Sequence, residues 1–568
     1  MSCQMTNSQN ISTTSIYLNL ARKIAILDNN QKYFNNGFDL LNSQEMELVV
    51  TQFLNSEENQ ISSIQQLDAQ TYITMIKQVL TDQSVNATSI TSTTLLASIE
   101  QFYSFYRSFL RVSVINAASN QVVASEFLTV DDRFNDLVRT LYRNVEEKLQ
   151  NSSNHIYRQV NAGTNASIMT RTVQWDTPKA YSSLISIPFL DKIMLRPPLM
   201  MHTQSNKRKG LFTAVDYNPI THFSEASEDW YCYPAKVGES LAFIYFHKDY
   251  LVNGLSLANL FELAQPQDIQ DHKPDLILLF GLSKTKGQVS HYHHDLQNDI
   301  WVGEVPYNDQ TTYFGYMKKM CLTLHNLHMI DQHRLPIHGS MVQIQFTNGK
   351  TKTVVFFGDS GAGKSESIEA LQEIAGNQII HMETIFDDMG SFTLDSVNPH
   401  ELYAQGTEIG AFVRLDDLSS AVAFNNMDRG VYLNPEQKNA RVIIPSNTYD
   451  RVIAHHHIDM WVYANNYDKA VGIHRFETKN AAKQTFIAGK RFALGTTDEV
   501  GMSTTFFANP FGPVQEPEQT RPIIDQVFNF LFDQNIYVGE LYTHLGNDKS
   551  KESLHQSVQE LLNVLMTM

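Results

Sequence analysis

The sequence predicts an α/β protein with mixed sheets, and three observations carry that prediction. At 353–371 an apolar run enters a glycine-rich turn and continues into a helical pattern. Across 40–150 apolar residues recur at three-to-four spacing. Between 167 and 300 short apolar or alternating runs are split by turn signals. The 568 residues suffice for two or three domains with large cores.

In chain order, residues 1–15 (MSCQMTNSQNISTTS) are polar and are expected to be a disordered tail. They lack the charged-then-apolar pattern of a signal peptide, and no apolar run reaches the roughly 18–20 residues of a membrane span. The expected location is therefore the cytoplasm, with no membrane partner. Cys3, Cys232 and Cys321 suit a reducing compartment and are no disulfide framework. A net charge of −17, from 43 basic and 60 acidic residues, argues against a general nucleic-acid binder.

Residues 16–150 are expected to be helical. Leu95, Ile99, Phe102, Tyr106 and Phe109 form one stripe, and Phe134, Leu137, Leu141, Val145 and Leu149 another, with Asp131 and Asp132 near a helix start. Both stripes read as core. Polar residues 151–166 mark a boundary, and 151–300 reads as an α/β domain on the substrate side. SLISIPFL, GLFTAVDYNP, SLAFIYF and DLILLFGL are its expected strands. Arg196 and the cluster Lys207–Arg208–Lys209 are either solvated surface or an anion site. His291–Asp295 (HYHHD) and His455–His456–His457 read as loops with satisfied histidines, because no metal partners stand at suitable spacing. Residues 301–568 form the expected phosphate-loop domain, closed by a helix with Leu554, Val558, Leu561, Leu562 and Leu565 on one face.

The organising stretch is TVVFFGDSGAGKSESIEAL, which meets GxxxxGK[ST] with Gly358, Gly363, Lys364 and Ser365. Its strand-to-helix context supports nucleotide binding by Gly358, Asp359, Ser360, Gly361, Ala362, Gly363, Lys364 and Ser365. Gly361 and Gly363 let backbone N–H groups turn inward around phosphate oxygens. The helix N-terminus adds partial positive charge. Lys364 would reach the β- and γ-phosphates, and Ser365 would hold a divalent metal. Roughly twenty residues on, Asp387–Asp388 could hold Mg²⁺ or activate a nucleophile. His338 precedes the loop, and Lys318–Lys319 precede His338. A lysine near a metal can be driven neutral by desolvation and so act as a ligand.

These pieces, in this order, resemble the ATP-dependent phosphoenolpyruvate carboxykinases. That family carries GxxYxGEMKKG, MHCSAN, GLSGTGKTTL, GDDEHGW, FEGGCYAK, ENxR before YP, and TFSxCFGAPF. This chain carries VGEVPYNDQTTYFGYMKKM, LPIHGSM, GDSGAGKSES, FDDMGS, TEIGAFVR, KNARVIIP and STTFFANPF, from about Ile300 to Phe511. The resemblance implies a carboxykinase-like phosphate-loop fold and conversion of oxaloacetate and ATP to phosphoenolpyruvate, ADP and CO₂ with Mg²⁺ and Mn²⁺. It implies Lys319, His338 and Asp388 as metal ligands, and Ser365 and Lys364 on the nucleotide. It also matches Glu408 and Arg414 to FEGGCYAK and Arg441 to the arginine on the transferring phosphate, which implies all three as nucleotide-binding residues. Lys319, Lys364, Asp388 and Arg441 are the implied catalytic set.

The chain departs from the family at three places. No copy of GRSPKDK is present, and Arg208 is its stand-in by position for the substrate carboxylate. GNDKSKESLHQS replaces the adenine-side GKRIS and DTR, which leaves ATP and GTP both open. The loop GDSGAGKSE, with HGSMVQ and FDD, is closer to the HPr kinase/phosphorylase family, in which one aspartate of the pair is the base for a protein serine. Three readings follow: a carboxykinase-like lyase, favoured by Lys319, Arg441 and STTFFANPF; a kinase on a protein or small-molecule hydroxyl; and a nucleotide-binding regulator without turnover.

Overall fold

The computed structural model describes residues 10–12, 15–29, 34–85, 90–117, 125–158, 160–395, 401–415, 427–494, 500–546 and 551–568. Most of the expected tail lies outside them, but Asn10–Ser12 form a strand paired with Ile16–Asn19. The architecture is mixed α/β with several mixed sheets. The chain divides into two compact units, 1–172 with 188–202, and 173–187 with 203–568. These divisions differ from the boundaries expected at 150 and 300.

The first unit owes its helices Gln44–Leu54, Ala69–Leu80, Ser92–Ser108 and Phe127–Gln150 to the apolar stripes. Side chains of Ser43, Asp68 and Thr91 cap three of them by accepting from the amides of Met46, Thr71 and Thr94. Leu95, Ile99, Phe109, Phe134 and Val145 share one core with Phe53 and Tyr72, while Phe102, Tyr106, Leu141 and Leu149 pack at its margin. The region is not wholly helical, however. Ile16–Asn19, Ile24–Asp28 and Leu110–Asn116 are strands, continued by Ala166–Arg171 and Phe189–Leu195. Their short β-branched runs sit between long helical stripes, which dominate the periodicity.

Within this unit the arginines are consumed by fixed partners. Arg196 donates from Nε and Nη2 to Asp131 Oδ2 at 2.9 and 2.6 Å, and it also pairs with Asp132. Asp131 is fully buried and accepts from Thr164, Ser167 and Asn135 as well. Buried Arg111 donates to Asn165 Oδ1 and to the carbonyls of Ala162 and Asn161.

The second unit contains two large sheets. One has Trp230–Val237, Ser240–His247, Leu276–Leu282, Ile300–Pro306 and His291–Asp295 in adjacent order. SLAFIYF and DLILLFGL are thus strands as expected. SLISIPFL is not a single strand: a 3₁₀ turn, Lys179–Leu184, gives way across Pro188 to the strand Phe189–Leu195. Proline has no N–H for a ladder. GLFTAVDYNP contributes only Thr213–Ala214. HYHHD is a strand and not a loop.

The other sheet carries the candidate site. Helix α1 (Gly315–Asp331) leads to β1 (Leu335–Phe346) and β2 (Thr351–Phe357); the phosphate loop then opens α2 (Lys364–Ala375). β3 (Ile379–Leu394), β4 (Leu402–Gly406), β5 (Gly410–Arg414), β6 (Arg441–Pro445), β7 (Met460–Asn465), β8 (Tyr537–Tyr542) and α3 (Glu552–Thr567) follow. The sheet order is β4-β3-β1-β2-β7-β8, with β2, β7 and β8 mutually parallel. Val354 and Phe356 face a core with Ile368 and Leu371 of α2 and the Leu554, Val558, Leu561, Leu562 and Leu565 stripe of α3. Val355 and Phe357 face the opposite core around Trp461 and Phe486. Burial on both faces explains why β2 reads as a continuous apolar run.

Candidate functional site

The phosphate loop is held in place through its carbonyls. Lys364 Nζ donates to Gly358 O at 2.8 Å and Asp359 O at 3.3 Å, and Arg491 donates to Ser360 O. Asn466 Nδ2 reaches Gly361 O at 2.9 Å, Thr543 Oγ1 reaches Ala362 O at 2.7 Å, and Ser367 Oγ reaches Gly363 O at 2.6 Å. Every carbonyl from Gly358 to Gly363 is therefore turned outward. The amides of Gly361, Gly363, Lys364 and Ser365 have no acceptor among the described residues. Outward carbonyls with inward amides at a helix N-terminus form an anion cradle. Gly363 is required there: its φ is +101°, and a Cβ would lie 2.7 Å from Thr543 Cβ.

Beside the loop, four segments converge on Asp388. Lys319 Nζ lies 2.6 Å and Lys318 Nζ 2.8 Å from Oδ2, while His338 Nε2 lies 2.9 Å from Oδ1. Glu408 Oε1 is 2.9 Å from Lys318 Nζ. α1 brings the lysines, β1 the histidine, β3 the aspartate and the turn after β4 the glutamate. β1 and β3 pair with a bulge at Ile385, and Asp388 has φ +121°. That strained backbone re-aims its carboxylate. Gly339 is opposite, where a Cβ would sit 2.5 Å from Phe356 O.

The cluster divides its two lysines electrostatically. Burial pulls Lys318 down, but Asp388 and Glu408 outweigh it and hold its ammonium above the usual lysine value. Burial, helped by the Lys318 charge, leaves Lys319 below that value. Burial opposes ionisation of Asp388, yet Lys318, Lys319 and His338 hold it well below the usual carboxylate range. Burial pushes Glu408 up to about 7. Burial, then the Lys364 charge, depresses His338. His338 Nδ1 faces Ala508 O at 3.0 Å. At 2.9 Å Asp388 Oδ1 accepts from Nε2–H; with Nδ1–H donating to Ala508 O, a cation bound beside Asp388 would take the Nε2 lone pair in place of that proton. Lys319 Nζ and His338 Nε2, once they give up their protons, and the Asp388 carboxylate would be a donor set that fits a divalent transition metal such as Mn²⁺. Asp387, one residue earlier, accepts from Ser340 and lies 3.5 Å from Ser365 Oγ. Asp387 and Ser365 would hold a second divalent cation.

The remaining cations rest on aromatic rings. Lys318 Nζ and Arg441 Cζ stand 5.7 and 5.6 Å from the Phe412 centroid. Lys319 Nζ and Arg208 Cζ stand 4.6 and 5.2 Å from that of Phe511. Ring faces stabilise these charges without neutralising them. Arg414 and Arg441 are direct cross-strand neighbours on β5 and β6. The Arg208 loop is tied to both neighbouring segments. Lys209 N donates to Tyr316 Oη at 3.1 Å, Gln204 N to Thr312 Oγ1 at 3.0 Å, and Asn439 Nδ2 to Asn206 O at 2.8 Å.

The structure thus brings together Lys319, His338, Asp388, Asp387, Ser365 and Lys364, with Arg208 on the same ring as Lys319. Arg196 is spent on Asp131 and Asp132. Glu408, expected on the nucleotide, is the buried counter-ion of Lys318. Asp359, expected only as a loop residue, also pairs with Arg491 Nε at 3.1 Å and lies 3.5 Å from His338 Nδ1. Sequence reasoning missed Arg491, Asn466, Thr543, Phe412 and Tyr316. None belongs to a local phosphate-loop signature, although Phe412 and Tyr316 lie inside the quoted TEIGAFVR and YFGYMKKM segments.

Most of the clustered histidines have partners, but His294 Nε2 has no hydrogen bond among the described residues. His291 Nδ1 meets Thr213 Oγ1, His293 Nδ1 meets Val215 O, and His294 stacks on Trp301 at 4.0 Å. His456 Nε2 meets Arg451 O, and His455 stacks on Tyr403. His294 does have acidic partners, Asp299 and Asp331, within metal-ligand spacing, but both carboxylates are exposed. Among the described residues no helix is long and apolar enough to cross a membrane. No protein-family model matches the chain, and no curated protein matches it significantly.

Proposed function

We propose that this chain is a phosphoenolpyruvate carboxykinase-like enzyme of the cytoplasm, converting oxaloacetate and a nucleoside triphosphate to phosphoenolpyruvate, the diphosphate and CO₂ with Mn²⁺ and Mg²⁺. One observation carries the reading: Lys319 and His338 meet the two oxygens of Asp388 beside an anion cradle. Lys319, His338 and Asp388 would hold one cation, and Ser365 and Asp387 the other. The cations would supply positive charge at the substrate oxygens and the transferring phosphoryl group.

The chain's own residues do the rest. The Arg208 guanidinium, kept charged over Phe511, can bind a carboxylate in two-pronged fashion. Loss of CO₂ leaves the electron pair of the broken C–C bond on the pyruvate enolate oxygen. That oxygen attacks the γ-phosphorus, and the diphosphate departs with the electrons of the broken P–O bond. Lys364, Arg441 and Arg414 offset the charge spread over the moving group.

The test is phosphoenolpyruvate formation from oxaloacetate and ATP with both cations, with Lys364→Ala as control. Product from the wild type, lost in the variant, is expected. ATP binding without product would sink the carboxykinase reading and favour a kinase on a protein or small-molecule hydroxyl. Asp387 supports that second reading: it stands apart from the lysine cluster and beside Ser365, where a base for a hydroxyl would act.

A further inference from the structure

The order of the strands limits where a bound nucleotide can run. His338 and Asp388 lie on β1 and β3, on one side of the phosphate loop. On the other side β7 and β8 run parallel to β2, so their C-terminal ends finish at the edge where the loop lies. Ligands of parallel sheets bind at that edge. A triphosphate whose last phosphoryl group faces His338 and Asp388 must send its nucleoside over the ends of β7 and β8.

Those ends are built around the loop. Asn466 donates to the carbonyls of both Gly361 and Phe492, and its Oδ1 accepts from Phe492 N at 2.8 Å. Gly546 N donates to Asn466 O at 2.9 Å. A Cβ on Gly546 would lie 2.7 Å from Phe492 Cβ, so the two segments are in close contact. Thr543 touches the loop at Ala362 O. The next residue, His544, is 6% exposed and has φ +59°, and its Nε2 has no hydrogen-bond partner among the described residues. A buried ring nitrogen without a partner, in a left-handed conformation beside a phosphate cradle, calls for an external partner.

We propose that His544 Nε2 hydrogen-bonds the nucleoside of the bound nucleotide, on a flank completed by Asn466, Phe492 and Thr543. The inference rests on the nucleotide reading above. It assigns a base- and ribose-side contact to the segment that follows β8.

The test titrates the full chain, with Mg²⁺, against ATP and against tripolyphosphate. His544→Asn keeps a residue that tolerates left-handed backbone but lacks an atom at the Nε2 position. His544→Phe keeps the ring volume without the nitrogen. Whichever variant retains the wild-type thermal midpoint is used. The expected result is at least a tenfold loss of ATP affinity, with tripolyphosphate affinity within twofold. ATP affinity within twofold of wild type, or equal losses for both ligands, would overturn the inference while leaving the nucleotide reading intact. A wild type that binds neither ligand would overturn both.

Discussion

Arg196 and Arg208 stand twelve residues apart in sequence and are used in opposite ways. Arg196 is locked to two aspartates, one of them fully buried, so its charge is cancelled inside the first unit. Arg208 makes no ion pair with a carboxylate among the described residues. It lies over Phe212 and Phe511, and it also donates to Gly210 O. Arg196 is paired with anions, whereas Arg208, the proposed carboxylate ligand, is packed on aromatic rings. Ring packing fixes its position and leaves its field to an incoming anion.

Four variants test that contrast. Lys364→Ala should have the largest effect, removing turnover and weakening ATP binding by about two orders of magnitude or more in calorimetric titration. His338→Ala should weaken Mn²⁺ binding by roughly 10–100-fold, read by electron paramagnetic resonance of free Mn²⁺; unchanged affinity would remove His338 from the ligand set. Arg208→Ala and Arg196→Ala form the decisive pair. The first should raise the KM for oxaloacetate about tenfold or more at an unchanged thermal midpoint. The second should leave KM alone and cost about 3 kcal/mol of stability, because Asp131 stays buried without its counter-ion. An exchange of those two phenotypes would end the distinction drawn above.

The smallest effect concerns Asp295, another charge with fixed partners. Burial works against its ionisation, but hydrogen bonds from Tyr181 and Asn298 hold its carboxyl below the usual value. A depressed folded value means that its stabilisation is fully present above the unfolded value of about 3.9 and fades as the pH falls through the folded one. Thermal midpoints of wild type and Asp295→Asn should therefore differ near neutrality and converge in acid.

The legible parts of the molecule were those encoded locally. Val354–Phe357, the glycine turn and the Ile368/Leu371 face specify strand, loop and helix within nineteen residues, and the final leucine stripe specifies its helix in the same way. Lys319, His338 and Asp388 were legible only as an ordered series of motifs, since about seventy residues separate their ends. Arg491, Asn466 and Thr543 were not legible, because each reaches the loop from 100 or more residues away and follows no local pattern. The strands of the first unit were hidden for a different reason: five to seven residues of alternation carry less periodic signal than a seventeen-residue helix beside them.

The outward-held carbonyls of the phosphate loop have a kinetic consequence. Side chains from three distant segments and from α2 already fix its backbone, so little conformational entropy remains to be lost when an anion arrives. If the loop binds a nucleotide as proposed, capture would need no loop ordering step, and differences in affinity among nucleotides would arise mainly in how long each one stays.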